Sequence, residues 1–162
     1  LTLSPMLIAY MLKFIPNHRA KEKLMAHFFK NRNARQFQKL AEQYSLERID
    51  KIIRPKAIEK IRWHQNQGHQ VVIVSASIES WLRAWCDKNN IELIATRLEV
   101  KGRKLTGKFA TKNCYGLEKA NRVKEAFELS LYDHIYAYGD SHGDKELLAL
   151  AVESFYKHSR NA

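Results

Sequence analysis

Asp140 and Asp144 stand four positions apart in YAYGDSHGDKELLALA (136–151), in a glycine-bearing turn between an aromatic run and a run of strong helix formers. Two carboxylates so spaced suit a hard divalent cation such as Mg²⁺, which prefers oxygen ligands and takes few of them from protein. The same residues are also ordinary turn chemistry, with Asp144 as a helix N-cap and Asp140 as a turn residue. Local sequence leaves both readings open. In VVIVSAS (71–77) a buried-type strand ends on Ser75 and Ser77, leaving hydroxyls and backbone N–H groups at its carboxyl end. Ser77 is expected to cap the next helix, and Ser75 is the better ligand candidate. NCYGLEKANRV (113–123) puts Lys119 in the first turn of a helix. There a cation opposes the helix dipole at a cost of ~0.3–1 kcal/mol unless an anion lies nearby, so a phosphate would account for it. Asn113, Cys114 and Tyr115 are candidates to line the same pocket. Cys114 is not expected to be a nucleophile, since no His/Cys arrangement accompanies it.

These side chains need a scaffold. Residues 1 to about 67 carry almost no strand pattern and read as helices at 5–15, 18–31, 34–48 and 55–67, broken near Pro16, Asn31-Arg32-Asn33 and Arg54-Pro55 and closed by Gly68. From Gln70 the pattern alternates. A strand over 71–74 leads to a helix at 77–89, a strand at 91–95, a hairpin within 97–109 turning at Lys101-Gly102, a helix at 116–128, a strand at 134–138, a helix at 144–151 and a strand at 152–156. Strands alternating with helices imply an α/β class with a mostly parallel sheet in three layers. In such sheets the strand-to-helix turns at the carboxyl edge are where ligands bind, and the four singled-out residues all fall at such turns.

A formal charge of +11 favours anionic partners. Two cysteines, Cys86 and Cys114, build no disulfide framework and point to a reducing compartment. The opening LTLSPMLIAYMLKFIP is interrupted by Pro5, Lys13 and Pro16 and is too short to span a bilayer, so no stable membrane insertion is expected. A different class fits the charge alone: a basic module binding nucleic acid or an anionic membrane, with Arg19, Lys21, Lys23, Lys30, Arg32 and Arg35 interleaved with Phe28 and Phe29. No recognisable nucleic-acid motif supports it.

Taken in order, VVIVSAS, NCYGLEK and YAYGDSHGDKELL resemble the haloacid dehalogenase superfamily, in its subfamily IB branch of phosphoserine-phosphatase-like hydrolases, over nearly the whole chain. The resemblance implies a three-layer Rossmann-like sheet, here 68–162, under a helical cap, here 1–67 with its connecting helix. It implies a Mg²⁺-dependent phosphatase that cleaves a phosphate monoester through an aspartyl-phosphate. Ser75 would hydrogen-bond the transferring phosphoryl group, and Lys119 would steady its charge. Ala76, Ser77 and Asn113 would line the substrate site, and Asp140 and Asp144 would hold the metal. The substrate class implied is a phosphorylated small molecule or a lipid phosphate, with no nucleic acid, in the cytoplasm or at a membrane surface.

One part of the resemblance is missing. The family's first motif, Asp-x-Asp at the end of an opening strand, supplies the nucleophile, yet the aspartates of this sequence are Asp50, Asp87, Asp133, Asp140 and Asp144, and none forms it. The chain is therefore expected to be the carboxy-terminal portion of a longer protein and to be inactive alone. In the family the first-motif strand lies between the strands that here cover 71–74 and 135–138. Those two should thus not pair directly, and the slot between them is expected to be filled from outside this sequence or by a neighbouring chain.

Overall fold

A computed structural model of the chain describes residues 17–157, with side chains from residue 19 onward, so the helix expected at 5–15 lies outside the described residues. Among the described residues three helices form the amino-terminal half: α1 (Asn17–Phe29), α2 (Ala34–Ile52) and α3 (Pro55–Asn66). Asn33 starts α2 by accepting the Gln36 N–H on its side-chain oxygen at 3.1 Å, which satisfies one of the helix's open donors. Phe37, Ala41, Ser45 and Ile49 recur every four residues and form its buried stripe. That stripe carries α2 four residues beyond the expected end at 48. It stops where Pro55 holds Arg54 extended (φ −71°, ψ 134°) and then opens α3, where its missing N–H costs nothing.

Six strands follow in three pairs. β1 (Val72–Ile78) runs parallel to β2 (Glu92–Thr96), joined by a short 3₁₀ turn and α4 (Arg83–Lys88). β3 (Leu98–Lys101) and β4 (Lys104–Phe109) make the antiparallel hairpin. After α5 (Leu117–Ala126), β5 (Tyr136–Gly139) runs parallel to β6 (Glu153–Tyr156), joined by α6 (Lys145–Leu148). The hairpin turn falls one residue later than expected: Gly102 and Arg103 both have positive φ, 54° and 68°, as a two-residue primed turn requires. The expectation that Ser77 caps a helix is corrected. β1 runs on through the buried Ile78, with an irregularity in its pairing between Ser75 and Ile78, and the next helix starts only at Arg83.

Two apolar clusters hold these pieces together. Ile49, Trp85, Cys86, Ile91, Leu93 and Ala95 seat α2 on α4 and the first parallel pair. Phe37, Ala41 and Leu105 tie the other end of α2 to the hairpin. Backbone bonds reinforce that end, with Asn31 N–H donating to the Leu105 carbonyl at 2.8 Å and Ala34 N–H to the Arg103 carbonyl at 2.9 Å. At Gly107 (φ 84°) an added Cβ would lie 2.4 Å from the Ala26 Cα, so only glycine lets α1 settle on β4. The hairpin thus packs on the helical half through residues some seventy positions apart, Asn31 with Leu105 and Ala34 with Arg103.

Among the described residues β1 pairs only with β2 and β5 only with β6. Residues 71–74 and 135–138 instead line one cavity of about 890 Å³. Direct pairing of these segments, which would close the sheet with no further strand, is not what the chain adopts.

The first prediction concerns the joint between the halves. Trp85 N–H lies in the first turn of α4, has no partner within its helix, and donates to the fully buried Ser45 Oγ at 2.9 Å. Ser45→Ala orphans that donor and is expected to cost about 1–3 kcal/mol, read as a lower midpoint in urea unfolding. A loss under about 0.5 kcal/mol, the range of a neutral surface change, would show that Ser45 does not cap α4.

Candidate active site

Three loops meet at the carboxyl ends of β1 and β5, and a buried lysine joins them. Gly116 (φ 61°) turns the NCYG segment into α5, and its N–H donates to the Gly143 carbonyl at 3.0 Å, docking that segment on the 139–144 loop. Lys119, only 8% exposed, then points inward from the first turn of α5. Its Nζ donates to Asp144 Oδ1 at 2.5 Å and to the Val74 carbonyl of β1 at 2.9 Å. The anomaly of a cation at a helix start is therefore answered by a carboxylate of the chain itself.

Asp144 is 5% exposed, and its second oxygen is as fully engaged as its first. Oδ2 accepts from Ser141 Oγ at 2.7 Å, Ser141 N–H at 2.9 Å and Asp140 N–H at 3.1 Å. Ser141 caps the 3₁₀ turn His142–Asp144, and Asp144 reaches back to it as the far member of a capping box; Asp144 is also the N-cap residue of α6, where its side chain makes no capping bond. Burial pushes the Asp144 carboxyl up. Hydrogen bonds from Lys119 and from the Ser141 hydroxyl and amide, with the Lys119 charge, outweigh burial and hold it below the ordinary value. Glycines make the fit possible: a Cβ on Gly139 would lie 2.6 Å from the Asp144 Cβ, and one on Gly143 would lie 2.2 Å from the Tyr115 ring.

Asp140, Asp144 and Lys119 line the same cavity, with Lys56, His64 and Tyr138. The Asp140 Oδ2 takes a hydrogen bond from Arg54 Nη1 at 2.8 Å, across the whole sheet-to-helix boundary. His64 faces the Tyr138 hydroxyl at 3.0 Å and His69 at 2.9 Å. Burial, then His69 and Lys60, push its pKa down, so near pH 7 it is a neutral polar wall and not an anion-binding cation.

Ser75 sits one residue beyond the Val74 carbonyl that Lys119 holds. Its Oγ accepts the Ser77 N–H at 3.1 Å, which leaves its proton to donate, since no described residue takes it. Ser77 itself is exposed. The Ala76 carbonyl accepts from the buried Thr96 hydroxyl at 3.2 Å and from Lys21 Nζ at 3.4 Å. Thr96 Oγ1 also accepts the Cys114 N–H at 3.0 Å and stands 3.5 Å from Asn113 Oδ1, so one hydroxyl registers the end of β1 against the NCYG segment. Cys114 is fully buried, and burial raises its thiol pKa, which removes it as a nucleophile.

Sequence reading missed Lys21, Arg54 and Thr96. Lys21 counted only as one of many basic residues, and Arg54 only as a helix boundary. They lie 55, 86 and 20 positions from the partners they meet, with no local pattern to mark them.

As for a cation, no group of three or more His, Cys, Asp or Glu side chains is poised to hold one among the described residues. The donors that could serve are the Asp140 and Asp144 carboxylates. Of these, Asp144 already accepts four hydrogen bonds. A Mg²⁺ ion needs only one or two carboxylates beside water and phosphate oxygens, so this donor set fits with Asp140 as direct ligand and Asp144 acting through its neighbours.

Known proteins resemble this chain in sequence and in fold. The chain is 33% identical to Protein CicA of Caulobacter vibrioides over 97% of its own length and 71% of that protein's. A solved protein of unknown function from Bordetella pertussis Tohama I superposes with a TM-score of 0.77 at 19% identity, covering 93% of this chain and 70% of the other. A probable phosphoserine phosphatase from Vibrio cholerae superposes at 0.72 with 16% identity, covering 95% and 46%. Identities this low in the two solved structures speak for the fold alone. The family model for haloacid dehalogenase-like hydrolases matches residues 2–149, and with the CicA identity this shows that the chain belongs to the haloacid dehalogenase-like hydrolases.

Proposed function

We propose that this chain forms the helical cap, over 1–67, and most of the core, over 68–162, of a Mg²⁺-dependent phosphomonoesterase of the phosphoserine-phosphatase-like branch. The observation that carries the reading is the buried Lys119 ammonium. Asp144 and the Val74 carbonyl fix it at the carboxyl edge of the sheet, one residue from the Ser75 hydroxyl and in the same cavity as Asp140. We place the nucleophilic aspartate and its general acid in an amino-terminal segment outside this sequence, because no Asp-x-Asp occurs within it.

In the reaction, an aspartate oxygen attacks phosphorus as the bond to the leaving alcohol breaks, and the general acid protonates that alcohol. Water then attacks the aspartyl-phosphate, releasing inorganic phosphate and restoring the carboxylate. Negative charge spreads over the phosphoryl oxygens throughout, so fixed positive and hydrogen-bonding groups supply most of the catalysis. Lys119 would face those oxygens from the sheet side, held in place by Asp144. Ser75 would donate its free proton to one of them. A Mg²⁺ ion bound at Asp140 would neutralise charge on the phosphate. Asn113 would belong to the substrate wall through its contact with Thr96, and Ala76 and Ser77 would lie on that wall with it.

The substrate would be a phosphorylated small molecule, with a lipid phosphate as the second choice, in the cytoplasm. Among the described residues no helix is long and apolar enough to cross a membrane. The reading as a basic binding module has less support, because Lys119 and Arg54 are turned onto carboxylates at the cleft.

Two predictions test this. A protein extended to include the amino-terminal strand is expected to hydrolyse p-nitrophenyl phosphate with Mg²⁺ and to lose that activity in EDTA, while the 162-residue chain alone does not. Mg²⁺-dependent turnover by the chain alone would overturn the placement of the nucleophile. The second concerns Asp144→Asn, expected to lower kcat on the order of 10²–10³-fold by releasing Lys119. Because the Asp144 carboxyl is held below its ordinary 3.8, it stabilises the fold above that value and loses this contribution as pH falls through its folded value. Thermal melts should therefore show wild type and Asp144→Asn well separated at pH 6 and converging below 3.8. A separation that stays constant across that range would show that Asp144 is not held as an anion.

A further inference from the structure

Two turns far apart in the chain meet at one end of the helical half and leave a surface of a single sign there. The loop between α1 and α2 lies against the hairpin turn: Leu105 N–H donates to the Arg32 carbonyl at 3.0 Å, Asn31 N–H to the Leu105 carbonyl at 2.8 Å, and Ala34 N–H to the Arg103 carbonyl at 2.9 Å. These bonds gather Lys30, Arg32 and Arg35 from one side and Lys101, Arg103 and Lys104 from the other, and all six are exposed. Among the described residues only Lys101 of the six meets an acid, Glu99 at 3.4 Å. Like charges held together with so little compensation repel one another and work against the fold. None of the six lines the phosphate cavity. One of them also stands where an arginine is ill suited. Arg103 has φ 68° in the two-residue turn, a left-handed conformation that glycine and asparagine enter readily and longer side chains enter at a cost. The facing loop meets the same demand with Asn31, at φ 66°. A charge kept at a strained position calls for a use. Apolar side chains accompany the charges: Phe28, in the last turn of α1, and Val100, next to Lys101, are each half-exposed.

We propose that this tip, built from 30–35 and 101–104, is a docking surface for an anionic lipid bilayer. Charge complementarity supplies the attraction, since each lysine or arginine beside such a surface strengthens binding about fivefold. Phe28 and Val100 decide between polyanions. At a bilayer they can enter the boundary between headgroups and acyl chains, whereas the backbone of a nucleic-acid duplex offers them only phosphate and sugar. The inference stands apart from the phosphatase reading, because no residue of the tip belongs to the phosphate site.

Co-sedimentation with vesicles tests this, using the protein that includes its amino-terminal segment and vesicles of phosphatidylcholine alone or mixed with phosphatidylglycerol. Wild type is expected to bind the mixed vesicles more tightly than the neutral ones and to lose that preference as salt rises. Combining Arg32→Gln, Arg103→Asn and Lys104→Gln should weaken binding to the mixed vesicles roughly 100-fold. A control of equal net charge combines Lys51→Gln on α2, Arg62→Gln on α3 and Lys124→Gln on α5, all exposed and away from the tip, and should bind as wild type does. Arg103→Asn alone relieves the turn, so it is expected to keep or raise the melting temperature while weakening vesicle binding about fivefold, a combination that a merely structural residue would not show. Equal losses in the tip variant and its control would mean that the vesicles sense net charge alone and would overturn the assignment. Failure of wild type to prefer the mixed vesicles at low salt would overturn it too. Binding of a duplex oligonucleotide that the tip variant loses, without binding to vesicles, would make the tip a nucleic-acid surface and overturn it equally.

Discussion

A buried pair of charges, Lys119 in the first turn of α5 and Asp144 in the turn after β5, dictates the local architecture at the sheet's carboxyl edge. Taking an ammonium and a carboxylate out of water costs several kcal/mol each, and their attraction repays this only when the remaining hydrogen-bonding capacity is also met. Here it is met by backbone and neighbour groups: four donors converge on Asp144, and Lys119 spends two of its protons on Asp144 and Val74. Val74, Lys119 and Asp144 come from three different elements, so the pair cannot form until the end of β1, the start of α5 and the turn after β5 are in register. The glycines at 116, 139 and 143 are consequences of the same constraint. Around so compact a knot the backbone must turn with positive φ once and pass against side chains twice at distances no Cβ would tolerate.

How much of this could be read from the sequence follows from how local each feature is. The helix starts at Asn33 and Pro55, the hairpin and the alternation of strands with helices are written in neighbouring residues, and all appear close to where they were expected. Lys119, Asp140 and Asp144 were legible because each lies at a turn whose chemistry is local and unusual. Ser77 misled because a serine after a strand usually begins a helix, whereas here the buried Ile78 prolongs the extended chain. Lys21, Arg54 and Thr96 were not legible at all. A lysine, an arginine and a threonine carry no periodic signature, and their roles exist only after folding brings together segments that are distant in the chain.

The same contrast divides the contacts between the helical half and the sheet by strength. On one side α2 is bolted to α4: Ser45 is fully buried under the Trp85 amide, the Trp85 indole donates to Asp50 Oδ1 at 2.5 Å, and an apolar cluster surrounds both. Burial of that kind is strong and breaks only with the fold. On the cleft side the links include an Arg54–Asp140 pair whose side chains are 46% and 36% exposed, the His64–Tyr138 contact at 3.0 Å and the 3.4 Å bond from Lys21 to Ala76 O. Pairs so exposed are worth ~0–1 kcal/mol, because water competes for both partners. The two sides thus differ by more than the strength of any single bond. One anchors the helices permanently, and the other supplies positive charge to the cleft through contacts weak enough to be exchanged for contacts to a ligand. An anion arriving at Arg54 or Lys21 would replace these links without disturbing the anchor, as the role proposed for the helical half, a cap closing over a phosphate, requires.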